Sequence, residues 1–320
     1  MAQKHFIRGV VAAVLGMTLV CGASPGFADE VKIGCGGPTG VYTTVLCPAI
    51  RDGLAKKGVN DVALENADGA GANAQAVLAG KLTAGLSQMD VLVSLMAQNP
   101  EYGKLIPMGQ IVPEGLFLVV RAQKNGGKIS SWSVLAKDGP GALPAKFKIG
   151  IIGSEKSGSY LTMKTIFAAI PALSQNVELM TITDQTPEEA YNHLNSGRLH
   201  GVAFVMMPDP ENSRIKAVAD SGGNYQILSI DDPRIEAIQI NDEPVYKLAS
   251  VDLGGAGKVT TPITYATLLV NPGKTAPELR QALLTVATDP KLLPPTTVAG
   301  KAKSMFTGLW KSTGGKIFKQ

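Results

Sequence analysis

The sequence predicts an α/β protein of two lobes, each built on a parallel-rich sheet, with a ligand cleft between the lobes. Short apolar strand signals alternate with helical patterns along most of the chain, which is typical of parallel sheets. Strand-rich stretches near residues 105–121 and 225–270 interrupt this alternation, and we interpret them as two segments that cross between the lobes. The chain has 320 residues, enough for two lobes of ordinary domain size.

In the first predicted lobe, short apolar runs each precede a helical pattern. The predicted strands cover 31–34, 62–65 and 84–87, and the predicted helices open after residue 42 and cover 72–82, 91–97 and 277–287. Short apolar runs bounded by turn residues are typical of buried parallel strands. We expect residues 29–114 and 262–320 to form this lobe, with the tail after Pro294 packing back on it.

The second predicted lobe, residues 115–261, repeats the same alternation. Its predicted strands cover 147–152, 177–182, 201–206 and 225–230, and its predicted helices cover 160–169, 187–194 and 212–220. Pro187 and the acidic residues after it favour a helix start at that point.

Residues 1–28 have the features of a cleaved export signal. Lys4 and Arg8 precede an apolar run over 10–20 that is too short to span a bilayer, and small residues lead up to a predicted cleavage after Ala28. We therefore expect a secreted, periplasmic protein. An uncleaved anchor and a lipoprotein remain open as alternatives.

Composition excludes several classes of function. The chain has 30 Lys and Arg against 26 Asp and Glu, and two of these bases lie in the export signal, so the mature chain is close to neutral. This balance argues against nucleic acid or a membrane surface as a partner. Charged residues make up 18% and aromatic residues 5% of the chain, as expected for a compact protein rather than a disordered one.

Three turns between a strand and a helix should meet at the cleft, because ligands of open parallel sheets bind outside the carboxyl ends of the strands. These turns lie at 38–42, 87–90 and 157–159. Each can offer backbone N–H groups and the positive end of a helix dipole to an anion. The predicted ligand-binding residues are Thr39, Gly40, Val41, Tyr42, Gln88, Glu114, Ser157, Gly158, Ser159 and Met207.

Glu114 and Arg121 lie on one predicted crossing strand. This strand should run antiparallel to its neighbours, which places Glu114 at the cleft and Arg121 away from it. Two roles remain open for Glu114, binding of a ligand ammonium and capping of a neighbouring helix. Arg121 is interpreted mainly as a structural residue, with carboxylate binding as the alternative.

Cys35 and Cys47 are the cysteines left after removal of the export signal. A pair of cysteines in an oxidising compartment predicts a disulfide, with two unpaired buried thiols as the alternative.

Enzyme signatures are weak. The three histidines have no spacing typical of a metal site or a catalytic triad. The stretch 254–258 lacks the first Gly and the Ser/Thr of a phosphate-binding loop. We expect no catalytic residue, no metal and no cofactor.

Several motifs, in the same order, resemble the TAXI family of solute-binding proteins. Residues 35–42, CGGPTGVY, are similar to its Gly-Gly-x-x-Gly-Val-Tyr opening, and 113–121, PEGLFLVVR, to its Pro-Glu-x-Leu-x-Leu-Val-Val-Arg strand. Residues 78–90 resemble its Leu-x-x-Gly and Gln-x-Asp block, and 157–159 stand where it has Ser-Gly-Thr.

The resemblance implies the type II periplasmic-binding fold and the function of an extracytoplasmic receptor. Such a receptor captures a small organic anion, a carboxylate or an acidic amino acid, in the interlobe cleft. It then delivers the ligand to the multi-span TRAP permease subunits of the inner membrane, here as a monomer. The alternatives are a receptor of the same fold for another transporter or a sensor, and an exported enzyme.

Overall fold

A computed structural model describes residues 30–293, apart from 39, 139–142, 144, 184–185, 241 and 290. The predicted export signal, Thr39 and the predicted tail after Pro294 lie outside the described residues. The strands are β1 (Val31–Gly34), β2 (Val62–Glu65), β3 (Ala84–Gln88), β4 (Ile106–Arg121), β5 (Phe147–Ile152), β6 (Val177–Ile182), β7 (Gly201–Met206), β8 (Tyr225–Leu228), β9 (Gln239–Ile240), β10 (Glu243–Pro244), β11 (Lys247–Asp252) and β12 (Lys258–Val270). The α-helices are α1 (Cys47–Ala55), α2 (Ala70–Ala79), α3 (Met89–Gln98), α4 (Gly158–Ala169), α5 (Pro171–Asn176), α6 (Pro187–Asn195), α7 (Ser213–Ala219) and α8 (Pro277–Thr288).

Ten of these strands form one sheet with the order β2-β1-β3-β12-β4-β7-β5-β6, to which β11 and β8 add beside β12 and β4. At one end β1 pairs in parallel with β2 and β3, and at the other end β5 pairs in parallel with β6 and β7. Between them, β12 and β4 run antiparallel to their neighbours. The predicted fold class is confirmed, because two parallel-rich halves joined by two crossing strands make up the type II periplasmic-binding arrangement.

The long strand β4 joins the two halves. Its first part pairs with β12 and its second part with β7 and β8, and Gly115 pairs with both Ile263 and Met206. Both crossing segments are therefore as predicted. The division into lobes at residues 114 and 262 stays a prediction.

Glu114 marks the point at which one face of β4 passes from one apolar core to the next. Alternate residues of a strand share a face, so Val112, Glu114 and Leu116 point the same way. Val112 packs in a core with side chains of α1 and α8, whereas Leu116 packs in a core with side chains of α3, α4 and α5. The polar residue between them lies at the junction of the two cores.

Helices α2 and α5 differ from the sequence prediction, each for a local reason. Helix α2 ends at Ala79 instead of continuing to residue 82, because Gly80 takes the left-handed conformation (φ 75°) that closes many helices. Helix α5 was not predicted; it begins at Pro171, directly after α4 ends.

Candidate ligand-binding site

The structure brings three of the predicted site residues into one hydrogen-bonded network. The Tyr42 hydroxyl donates to Glu114 Oε2 at 2.8 Å, and Gln88 Nε2 donates to the same oxygen at 2.8 Å. Tyr42 comes from the helix after β1, Gln88 from the end of β3, and Glu114 from the middle of β4. Three separate segments therefore meet at one buried carboxyl group.

A widened helical turn positions Tyr42. Residues Tyr42–Leu46 form a π-helix that runs directly into α1, and the Cys47 N–H donates to the Tyr42 carbonyl five residues earlier. Pro48 has no N–H to give to the carbonyl of Thr44, so the regular α-helical ladder is broken here and the turn before it widens.

A disulfide between Cys35 and Cys47 ties this helix to the end of β1, with the two Cα atoms 6.0 Å apart. Both cysteines are buried in the core beneath α1 and α8. The predicted disulfide is confirmed, and it links the start of the glycine-rich turn to the helix that carries Tyr42.

The Glu114 side chain is only 6% exposed, and burial raises the pKa of its carboxyl to about 7. The hydrogen bonds from Tyr42 and Gln88 act in the opposite direction, while the nearby Asp90 carboxylate adds to the rise. Within the described part of the chain, no Lys or Arg pairs with Glu114. Near neutral pH this carboxyl is therefore divided between its charged and neutral forms.

Two buried oxygen atoms beside Glu114 have no hydrogen-bond partner among the described residues. One is Gln88 Oε1, and the other is the hydroxyl oxygen of Thr264, whose residue is 1% exposed. Thr264 stands directly opposite Glu114 in the pairing of β12 with β4, so the two side chains share a face of the sheet. Sequence reasoning missed Thr264. Its signal was a threonine in the middle of a largely apolar crossing strand.

Hydrogen-bond donors collect at the start of α4. Ser157 Oγ accepts the Tyr160 N–H at 3.3 Å, and Ser159 Oγ accepts the Val205 N–H at 2.8 Å. Each hydroxyl acts there as an acceptor, so its own proton is left to donate. The N–H groups of Gly158 and Ser159 have no partner within the helix, as in the first turn of any α-helix. All three residues are half-buried.

Gly158 brings the donors at the start of α4 into contact with Gln88, at the end of β3. A Cβ atom at this position would lie 2.0 Å from Gln88 Oε1, so the close approach depends on glycine. The start of α4, in the second half of the sheet, thus faces the end of β3 in the first half.

Three other predicted residues, Gly40, Val41 and Met207, lie outside this hydrogen-bonded network, and Thr39 lies outside the described residues. The Gly40 carbonyl accepts the N–H groups of Thr43 and Thr44 at the helix start. Val41 is half-buried against the core beneath α1 and α8, and Met207 is buried in that core. Arg121 ends β4 beside Tyr225, and its guanidinium lies near Gly126 rather than near Glu114.

A second buried polar cluster connects α3 with α4, and sequence reasoning did not predict its bonds. Asp90 Oδ2 accepts from the hydroxyls of Thr162 and Tyr246, the latter at 2.7 Å, and the Asp90 carbonyl accepts from the Thr165 hydroxyl at 3.0 Å. Burial raises the pKa of Asp90 although the Thr162 and Tyr246 hydroxyls act to lower it. Asp90 and Tyr246 are 156 residues apart, and no local pattern indicates such a pair.

Across the described residues, no group of three or more His, Cys, Asp and Glu side chains is arranged to hold a metal ion. In the same part of the chain, no helix has the length and apolar character needed to cross a membrane.

No family model matches the chain, and no curated protein matches it either. Solved structures with a similar fold include an ancestral arginine-binding protein bound to arginine, at 14% identity over 87% of this chain and 98% of that chain, with a TM-score of 0.49. The substrate-binding protein of an amino acid ABC transporter is similar at 16% identity over 81% and 92% of the two chains, with a TM-score of 0.45. The GluR0 ligand-binding core in complex with L-glutamate is similar at 12% identity over 82% and 92%, with a TM-score of 0.44. At these values the fold assignment rests on the strand order and pairing of this chain.

Proposed function

We propose that this protein is an extracytoplasmic solute receptor that binds a small organic anion between the two halves of its sheet. The observation that carries the proposal is the start of α4, where the hydroxyl protons of Ser157 and Ser159 and two backbone N–H groups remain available to donate. The positive end of the helix dipole reinforces them for a negatively charged ligand group. We propose that the helix start that follows Gly40 and Val41 supplies a second set of donors, together with Thr39, which lies outside the described residues.

The ligand class proposed is a carboxylate or an acidic amino acid, and the partner is a TRAP-type permease. The TAXI-like motifs at residues 35–42 and 113–121 support both parts of this proposal. The chain acts as a monomer that hands its ligand to the multi-span permease subunits in the inner membrane. Uptake of the ligand into vesicles that contain a TRAP-type permease from the same organism should require the receptor. Uptake at the same rate without it would contradict the partnership.

Anion binding is tested by two substitutions of Ser157. Ser157→Ala removes both the O–H donor and the acceptor that caps α4, so it should weaken binding and also lower stability by about 1 kcal/mol. Ser157→Asp keeps a capping acceptor but places a negative charge where the anion binds. Calorimetry with a panel of mono- and dicarboxylates should show affinity reduced by at least about tenfold in both variants, since a hydrogen bond to a charged group contributes roughly 1.5–3 kcal/mol.

Ser174→Ala is the matched control, because Ser174 is exposed on α5. Its affinity should equal that of the unaltered protein. Unchanged affinity in Ser157→Asp would place the anion elsewhere, and a panel in which nothing binds would contradict the receptor function itself.

Export is tested separately. Cleavage after Ala28 should give a periplasmic protein whose N-terminal sequence begins Asp29-Glu30. A periplasmic form that keeps Met1 or carries lipid on Cys21 would contradict the predicted cleavage.

A further inference from the structure

We infer that the protein has a second anion site, remote from the candidate ligand-binding site, in which Lys128, Lys148 and His200 bind an oxyanion of the phosphate type. Free inorganic phosphate and the phosphate group of a lipid share this chemistry. Lys148 is the second residue of β5, whereas α4 and its donors follow the other end of that strand. The inference therefore goes beyond the proposed function and does not depend on it.

Three contacts fix the half-buried imidazole ring of His200. Its Nδ1 atom accepts the Lys148 N–H at 3.0 Å, and the His200 N–H donates to the Lys148 carbonyl at 2.8 Å. The Phe147 ring lies 5.2 Å away, centroid to centroid. Because Nδ1 acts as the acceptor, Nε2 carries the proton of the neutral ring. The ring therefore presents an N–H donor in a fixed direction.

A second donor faces this N–H group. The Lys128 ammonium lies 2.8 Å from His200 Nε2, although a neutral imidazole has only one acceptor nitrogen and the Lys148 N–H already uses it. The other tautomer would accept from Lys128 but would turn its Nδ1–H against the Lys148 N–H, and a protonated ring would turn an N–H group against both. Every protonation state of the ring thus leaves two donors facing each other. An oxyanion supplies the missing acceptor.

Positive charge around the ring adds to the attraction for an anion. Burial lowers the pKa of His200, and the ammonium groups of Lys128 and Lys148 lower it further, so both lysines act on the ring. Within the described ranges, neither lysine forms an ion pair with an acidic side chain. Glu178 flanks Lys148 from β6, whereas His200 precedes β7 on the other side of β5.

A phosphate group matches these donors in number and in charge. It has several strong acceptor oxygens, so it can accept from two ammonium groups and a ring N–H at once, and lysine commonly binds phosphate as a point charge. The mature chain as a whole is close to neutral, but total charge averages over such a local cluster and does not report it.

Nuclear magnetic resonance of the histidine rings tests the site on the mature protein in a phosphate-free buffer. His5 lies in the predicted export signal, so a chain that begins at Asp29 has ring signals from His193 and His200 alone. Titration with inorganic phosphate should shift the His200 signals to saturation and leave those of His193 nearly unchanged. Shifts of both rings that grow linearly with phosphate would show an adventitious ion only and would overturn the inference.

Lys128→Gln and Lys124→Gln form a matched pair. Both lysines are exposed in the connection from β4 to β5, but Lys124 Nζ lies against Gly223 rather than His200. Lys128→Gln removes a charged donor and gives the ring N–H an amide oxygen, so it should weaken phosphate binding at least about tenfold. Lys124→Gln should not change it. Equal weakening in both variants would show diffuse attraction to the surface and would overturn the site.

Vesicles distinguish the two sources of phosphate. The protein is sedimented with vesicles of phosphatidylglycerol and phosphatidylcholine, and with vesicles of phosphatidylcholine alone. Cosedimentation with the anionic vesicles that Lys128→Gln reduces and Lys124→Gln does not would assign the site to a lipid headgroup. Saturable binding of inorganic phosphate without cosedimentation would assign it to free phosphate. If neither binds, or if vesicle binding alone is seen and both variants retain it, the inference is overturned and the receptor function stands.

Discussion

Burial of Glu114 makes the stability of the protein depend on pH. The folded pKa of about 7 lies above the ordinary value of 4.5, so between these values the folded protein keeps a proton that the unfolded chain has lost. The stability that this proton confers is fully present below pH 4.5 and is lost as the pH rises through 7.

We therefore expect the free energy of unfolding to fall by up to about 3 kcal/mol between pH 5 and pH 8, and to fall less in Glu114→Gln. Urea titrations at a series of pH values measure this. A remaining fall in the variant is expected from Asp90, whose pKa burial also raises. Identical pH dependence in the two proteins would contradict the assignment to Glu114.

Gly158 gives a second prediction for a single residue. In Gly158→Ala the new methyl group would meet the Gln88 amide, which must then move away from Glu114. Overpacking of this kind lowers stability by about 1–3 kcal/mol. Gly103→Ala is the control, because its added carbon would find only Met96 Cε at 3.6 Å, and its stability should change by less than about 0.5 kcal/mol. Equal stability of the two variants in thermal unfolding would show that the amide moves freely.

Residues whose place follows from the direction of a strand could be predicted, whereas a residue whose place depends on strand register could not. Gln88 could be placed from the rule that ligands bind at the carboxyl ends of parallel strands, and Glu114 from the direction of its crossing strand. Thr264 could not, because its position depends on the register of β12 against β4, which a single sequence does not specify. Whether these residues bind a ligand stays a prediction.

Among the elements, the helix that carries Tyr42 depends on its disulfide. The bond closes a loop with a sequence separation of 12, for which the chain-entropy account gives about 3 kcal/mol of stability. Reduction of the unaltered protein should therefore lower its free energy of unfolding by up to that amount.

A variant in which Cys35 and Cys47 are both alanine provides the control for reduction. It should be less stable than the oxidised protein and insensitive to reductant. A fall in stability caused by reductant in the double variant as well would show that the effect does not come from this bond. Thiol titration of the unfolded, non-reduced mature protein should give no free thiol.

Element boundaries followed from the sequence where one residue type decides them. Pro187 begins α6 and Pro277 begins α8, as predicted, because proline fits the first turn of a helix. The π-helix at Tyr42–Leu46 was not predicted. The widened turn lies where Pro48 has no N–H to donate and where the disulfide fixes Cys47. Helical periodicity in the sequence indicates a helix but does not distinguish a π-helix from an α-helix.

For the whole molecule, the structure holds the two predicted lobes in direct contact. Asp90 belongs to the first predicted lobe, and its hydroxyl donors on Thr162 and Tyr246 belong to the second. A further bond runs from the Gly71 N–H to the Lys156 carbonyl at 3.0 Å. If the lobes separate to admit a ligand, as the fold predicts, these buried bonds must break.

The bonds to Asp90 should therefore set the balance between open and closed forms. Tyr246→Phe removes one donor to a carboxylate, a contribution of roughly 1.5–3 kcal/mol, which corresponds to at least about a tenfold shift in that balance. We expect small-angle scattering to give a larger radius of gyration for ligand-free Tyr246→Phe than for the unaltered protein. With ligand at saturation the two proteins should have the same radius, and the variant should bind the ligand more weakly.

Tyr191→Phe separates lobe opening from general loss of stability. The Tyr191 hydroxyl donates to the Arg214 carbonyl at 2.9 Å, and both residues lie in the second predicted lobe. This variant should also be less stable, because it leaves a carbonyl without its donor, but its ligand-free radius should match that of the unaltered protein. An equal increase in both variants would mean that scattering reports loosening within a lobe. If the radius of gyration increases in neither variant, and the unaltered protein does not contract on ligand binding, the two halves behave as one rigid body. The ligand would then enter without separation of the lobes.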